Sequence, residues 1–173
     1  MKIINFHLID NILYWILIRS CNRMPKRFVK LIAFYYTDAR VRKEYLSKLG
    51  VKMGVNTFSN LGLKIAVDEY SDTTKVLIGN NVSIGPNLTL VADSCANNGV
   101  EINLFGEVKQ KLTKKGSIKI DDDVWIGANV TILPNVEIGK CTVIGAGSVV
   151  TKSLPAYSIY AGNPAKFIRS LKE

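Results

Sequence analysis

The sequence predicts an all-β fold, a parallel β-helix that lays down one short strand every six residues, with helices ahead of it. The first observation is the beat itself. Ile120, Ile126, Ile132, Ile138, Ile144 and Val150 fall six residues apart without a slip. Two residues before each stands a second inward candidate: Ile118, Val124, Val130, Val136, Thr142 and Ser148. Val76/Ile78, Val82/Ile84 and Leu88/Leu90 keep the same beat earlier in the chain, and in the same phase. An α-helix turns residue i+6 away from residue i, and a plain strand alternates with period two. A strand that rounds a corner every six residues satisfies the pattern, and a hexapeptide period marks a parallel β-helix. The second observation is what stands at the corners. Gly79, Gly85, Gly127, Gly139 and Gly145 directly follow a phase residue, and Asn81, Asn87, Asn129, Asn135 and Gly147 come three after one. Asn and Gly are the residues that most readily take the left-handed backbone a tight corner needs.

Taken in order, residues 1–48 lack the beat and read as a helical N-terminal segment. Leu8, Ile9, Ile12, Leu13, Trp15, Ile16 and Leu17 make a mostly apolar helix, too short to span a bilayer. Pro25 suits the start of a second helix, and a charged third segment runs from Asp38 to Leu49. The preferred reading is a cap packed on the first coil and on neighbouring subunits. The competing one is an anchor on a membrane surface, since basic residues flank aliphatic and aromatic ones. Residues 49–155 are the β-helix, irregular at first and then strict. A loop rich in Asn and Lys, 93–116, interrupts it, and insertions in solenoids project as loops that often bind. Residues 156–173 form a basic tail, with Pro164 placed to begin a short helix carrying Lys166, Arg169 and Lys172.

The 173 residues suffice for one domain. The formal charge of +9 favours anionic partners: a phosphorylated small molecule, an acidic membrane surface or, last, nucleic acid, for which no motif is present. Cys21, Cys95 and Cys141 are scattered, without a CxxC, and read as free thiols in a reducing, cytoplasmic setting. Asp10 and Asn11 break the N-terminal apolar run, which argues against a secretory leader. The single histidine, His7, excludes a zinc site built from several His ligands, and the clustered Asp121, Asp122 and Asp123 read as corner residues rather than a metal site.

From Ile120 to the end the chain reads IDDDVWIGANVTILPNVEIGKCTVIGAGSVVTKSLPAYSIYAGNPAKFIRSLKE. With its VWIGANVTI, VIGAGSVVTK and AGNPAK motifs, this stretch resembles the hexapeptide-repeat acetyltransferases of maltose, galactosides and surface polysaccharides. The resemblance implies a left-handed helix, a homotrimer with sites between adjacent columns, and acetyl-CoA as donor. It places the backbone amides of Ala128 and Ala146 along the pantetheine arm and Trp125 beside the acetyl group. Lys152, Lys166 and Arg169 fall near the phosphates. The implied acceptor is a sugar or surface-polysaccharide precursor.

One departure matters. In that family a His just after the strand equivalent to Leu88–Val91 serves as general base. Here the stretch reads Ala92, Asp93, Ser94, Cys95, Ala96. Asp93 is the preferred substitute base, and Cys95 takes the place under another alignment. If the acceptor is an amine, no base is needed. A non-catalytic scaffold is the remaining reading. The loop lysines Lys109, Lys111, Lys114 and Lys115 read either as contacts to an acidic or nucleotide-linked sugar or as a solvated charge run.

Overall fold

The computed structural model describes residues 6–67 and 74–172, with side chains from Leu8 onward; His7, the one histidine, therefore has no described side chain. The column has three sheets, parallel throughout except for the last strand of the second. Strands β1 (Val51–Met53), β3 (Val76–Ile78), β8 (Ile118–Ile120) and β11 (Glu137–Ile138) form the first, in that order. The second holds β4 (Ser83–Ile84), β9 (Trp125–Ile126) and β12 (Val143–Ile144), then β14 (Ser158–Ala161) and β15 (Lys166–Ser170). The third holds β2 (Lys64–Ala66), β5 (Thr89–Val91), β10 (Thr131–Ile132) and β13 (Val149–Val150).

Register fixes the coil. Trp125 pairs with Val143 and Thr131 with Val149, each eighteen residues on, which is three strands of six. Ser83 pairs with Trp125, forty-two residues on: eighteen for the coil and twenty-four for the insertion 93–116. Because the insertion is itself four times six, the phase survives it. Every inward pair named above is buried, from Val76 and Ile78 to Ser148 and Val150. The two polar members are satisfied where the column ends: Thr142 Oγ1 donates to Pro155 O at 2.8 Å, and Ser148 Oγ to Gly145 O at 2.6 Å. Unpaired, each buried hydroxyl would cost about 1–3 kcal/mol.

Asn81, Asn87, Asn129, Asn135 and Gly147 all have positive φ, as do Asp123 and Cys141 at the corresponding corners. The corner amides stack from coil to coil. Asn56 Nδ2 donates to Asn81 Oδ1, Asn81 Nδ2 to Asp123 Oδ1, and Asn87 Nδ2 to Asn129 Oδ1, at 3.1–3.3 Å.

Helices α1 (Phe6–Ser20), α2 (Lys26–Tyr35) and α3 (Ala39–Ser47) pack beside the first coil. Cys21, Val29, Ala33, Val41, Tyr45 and Leu46 belong to one buried cluster with Val51 and Leu63 of the column. Tyr45 Oη donates to Leu17 O at 2.8 Å, and Gly62 N to Phe34 O at 2.9 Å. Asp38 caps α3 by accepting from Arg40 N at 2.8 Å. The Arg40 side chain also bonds that carboxylate and, more than any other contact, holds its pKa below the usual range. A carboxylate lowered in the folded state stabilises above its unfolded pKa of about 3.9 and loses that contribution as pH falls through its folded value. Asp38→Ala should therefore cost about 1 kcal/mol at neutral pH. In chemical denaturation the gap between variant and parent should close in strong acid.

The insertion begins and ends as a short antiparallel pair, β6 (Asp93–Ser94) with β7 (Lys114–Lys115). Between them lie a 3-10 turn at Ile102–Leu104 and a π turn at Val108–Leu112. Far from uniformly polar, it exposes Val100, Leu104, Phe105 and Leu112.

The expected C-terminal helix is not formed. β14 joins the second sheet beyond β12, Gly162 reverses the chain at φ +102°, and β15 returns antiparallel to β14. The physical reason is the edge that β14 presents once it has paired with β12: a helix would leave that edge's amides and carbonyls unpaired, while β15 extends the ladder. Phe167 and Ile168 suit a strand, and the Phe167 ring meets Tyr160 edge-on at 5.6 Å.

Candidate active site

The corner between the second and third sheets repeats as Gly85-Pro86-Asn87, Gly127-Ala128-Asn129 and Gly145-Ala146-Gly147. Peptide planes stack here too tightly for a side chain. A Cβ on Gly85 would lie 2.7 Å from Ala128 N, and one on Gly127 would lie 2.5 Å from Ala146 N. Such contacts are well inside van der Waals distance, so glycine is required for coils to close at this corner.

The corner between the first and second sheets is built alike but finished differently. There Val55 N donates to Asn80 Oδ1 and Asn80 N to Asp122 Oδ1, both at 2.7 Å, so each amide is capped from the next coil. At the Gly127 and Gly145 corner the equivalent residues are alanines, whose side chains cannot accept. Among the described residues no acceptor meets the Ala128 or Ala146 N–H. Ala146 is exposed and Ala128 half-buried, so water reaches them in the free protein. Two donors a coil apart, about 4.8 Å along the column, form a ledge for an extended ligand that carries carbonyl groups.

The second sheet adds to this ledge. Ser83, Trp125, Val143, Ile159 and Arg169 pair in one register row across five strands. Trp125 is 62% exposed on that outer face, which is unusual for so large an apolar ring. Arg169 stands three strands further along, about 14 Å at sheet spacing. Lys166 pairs with Ala161, and a Cβ on Gly145 would touch the Ala161 Cβ at 2.8 Å. Lys166 therefore stands at the C-terminal end of the same corner as Ala128 and Ala146. The expected residues Trp125, Ala128, Ala146, Lys166 and Arg169 come together on one edge: an aromatic, two free donors, then cations.

The other three lie elsewhere. Asp93 follows β5 as Lys152 follows β13, so both occupy the corner between the third and first sheets. The Asp93 side chain is nearly enclosed, and its Oδ1 lies 3.7 Å from Lys75 Nζ. Cys95 is exposed in the insertion, its Sγ 2.5 Å from Asn97 Oδ1. One column thus presents the expected residues in two separate groups. The sequence reading missed Ser83, Val143 and Ile159 beside Trp125; counting eighteen back and forth from Trp125, with the insertion added, finds the first two.

Residues 117–152 match the six-repeat model of the bacterial transferase hexapeptide. The galactoside O-acetyltransferase of Escherichia coli K12 is 39% identical over 129 residues, 71% of this chain and 55% of that protein. A hexapeptide-repeat acetyltransferase of Vibrio cholerae, solved with acetyl coenzyme A, superposes with a TM-score of 0.64 at 27% identity, covering 91% of this chain and 88% of the other. A galactoside acetyltransferase solved with coenzyme A gives 0.61 at 26%, covering 99% and 86%. These likenesses imply the left-handed winding. The chain spans about half the length of the curated relatives it matches. Unbroken six-residue phase, glycine-closed corners and these likenesses agree: the chain belongs to the hexapeptide-repeat transferase family.

Proposed function

We propose that this protein transfers an acetyl group from acetyl-CoA to a hydroxyl of a sugar or surface-polysaccharide precursor in the cytoplasm. The observation that carries the reading is the ledge of Ala128 and Ala146, two amide donors without protein acceptors, ending in Lys166 and Arg169. A pantetheine arm is an extended chain with amide carbonyls, and its nucleotide end carries phosphates that cations hold. Lys152 would serve those phosphates only from a neighbouring column. The separation of these two groups supports a homotrimer, in which the Asp93 corner of one column faces the Trp125 sheet of the next and each site takes one group from each. The N-terminal helices, whose core runs on into the column, close its first coil as a cap.

In the transfer, the acceptor oxygen attacks the thioester carbonyl, the C–O bond forms and the C–S bond breaks. Asp93 takes the hydroxyl proton, and the departing thiolate is protonated to free CoA. Cys95 is the weaker candidate for that proton, since it is exposed and lies just beyond the β6–β7 pairing. Asp93→Asn should lower acetyl transfer to a sugar hydroxyl about a hundredfold or more, measured as CoA release.

A specific observation favours a second reading. The Asp93 carboxylate is nearly enclosed beside Lys75, a setting suited to a structural tie. If the acceptor is an amino sugar, its neutral nitrogen is already nucleophilic, and orientation with carbonyl polarisation suffices. An unchanged rate in Asp93→Asn would select this reading. Calorimetry with CoA separates both from a non-catalytic scaffold, which would show no saturable binding.

A further inference from the structure

We propose that the outer faces of α1 and α2 dock on an anionic lipid surface, holding the column beside a membrane. α1 packs Tyr14, Leu17 and Ile18 against the core, yet its other side is also apolar: Leu8, Ile12, Trp15 and Ile16 are 49–60% exposed. α2 repeats the arrangement, with Val29 and Ala33 buried and Phe28, Leu31 and Tyr35 each 56–57% exposed. A surface helix ordinarily turns charge toward water; one that is apolar on both sides calls for a second cover.

Charge identifies the cover. From Leu8 to Tyr36 the chain carries Arg19, Arg23, Lys26, Arg27 and Lys30 against one acid, Asp10. Asp10 lines a different hollow, with Asp38 and Arg40. Arg19, by contrast, borders an open apolar hollow with Ile12, Trp15 and Ile16. Arg19, Arg23 and Arg27 meet no acidic partner among the described residues. A second copy laid on this face would set like charges against each other, whereas anionic headgroups neutralise them while the acyl boundary takes the apolar side chains. Trp15 and Tyr35 suit that boundary, each having an apolar ring and a polar edge. At fifteen residues α1 is about 22 Å long. No described helix is long and apolar enough to cross a membrane, so the geometry is that of a helix lying in the surface.

The proposal stands independently of acetyl transfer. Its test is sedimentation of the whole protein with phosphatidylcholine vesicles and with vesicles containing phosphatidylglycerol. Binding is expected to the anionic vesicles, to weaken strongly from 0.05 to about 0.5 M salt, and to shift Trp15 fluorescence to the blue. Arg19→Gln with Arg23→Gln should lower partitioning roughly thirtyfold, at about a fivefold loss per cation. Ile12→Ser with Trp15→Ser should also reduce it, with the thermal melt confirming that each variant folds. No binding to anionic vesicles at low salt overturns the proposal. So does binding that both variants keep, or an oligomer that Trp15→Ser dissociates while the parent ignores lipid.

Discussion

Replacing Arg42 with Met should lower the unfolding free energy by about 3 kcal/mol, read from urea titration, the largest stability effect of any single change away from the column core. Arg42 is 4% exposed, yet its guanidinium is held by backbone carbonyls on two sides. Nη1 donates to Tyr36 O at 2.6 Å and Thr37 O at 2.7 Å, and Nη2 donates to Ser59 O. Those carbonyls belong to the turn between α2 and α3 and to the first coil, so one side chain ties the helices to the column. Met fills similar volume but strands the buried Ser59 carbonyl and takes the donor from two part-buried ones. Burial lowers the guanidinium pKa, but an arginine stays charged at any working pH, so the loss should be the same from pH 5 to 9. Arg42→Lys should recover only part, because an ammonium cannot reach both sides of the fork. An unchanged urea midpoint in Arg42→Met would mean that helices and column unfold independently.

What was legible in the sequence followed from repetition. The inward pairs at spacing two are all buried, because a six-residue beat leaves each only one direction to face. Asn corners could be read from residue type, but Asp123 and Cys141 are equally left-handed and give no sign of it except their spacing from Asn129 and Asn135. Tyr157 also has positive φ, and as it is off the beat no pattern reveals it. The tail was unreadable for a different reason. Its strand is selected by the open edge of β14, a tertiary fact, while its residues suit a short basic helix nearly as well. The site divides along the same line. Ala128 and Ala146 differ by one coil and so share a corner, and Lys152 lies eighteen after Pro134, which puts it on another. Lys166 and Arg169 reach the ledge only because β15 folds back. The insertion looked polar by its Asn and Lys content, whereas its exposed Val100, Leu104 and Phe105 show that composition averages conceal a local apolar surface.

The ledge itself can be removed without disturbing the coil. Ala128→Pro combined with Ala146→Pro should weaken CoA binding about a hundredfold, roughly tenfold for each donor lost, measured by calorimetry. Proline deletes the N–H and little else, provided that its ring is accommodated. The fold supplies that proviso: Pro86 already follows Gly85 at this corner one coil earlier, as Ala128 follows Gly127 and Ala146 follows Gly145. Since neither alanine amide is bonded within the protein, no internal hydrogen bond is lost and the thermal melt should move little. Ala128→Gly combined with Ala146→Gly is the matching control, because it keeps both donors and should bind CoA nearly as the parent does. The pair isolates the amide from the side chain, which no truncation at Trp125, Lys166 or Arg169 can do. If the double proline variant holds CoA as tightly as the parent, the arm does not lie along this corner. If the glycine variant weakens as much as the proline one, the alanine methyl rather than the amide makes the contact. Only a loss confined to proline assigns the ledge its role, since the two variants share every other feature of the coil.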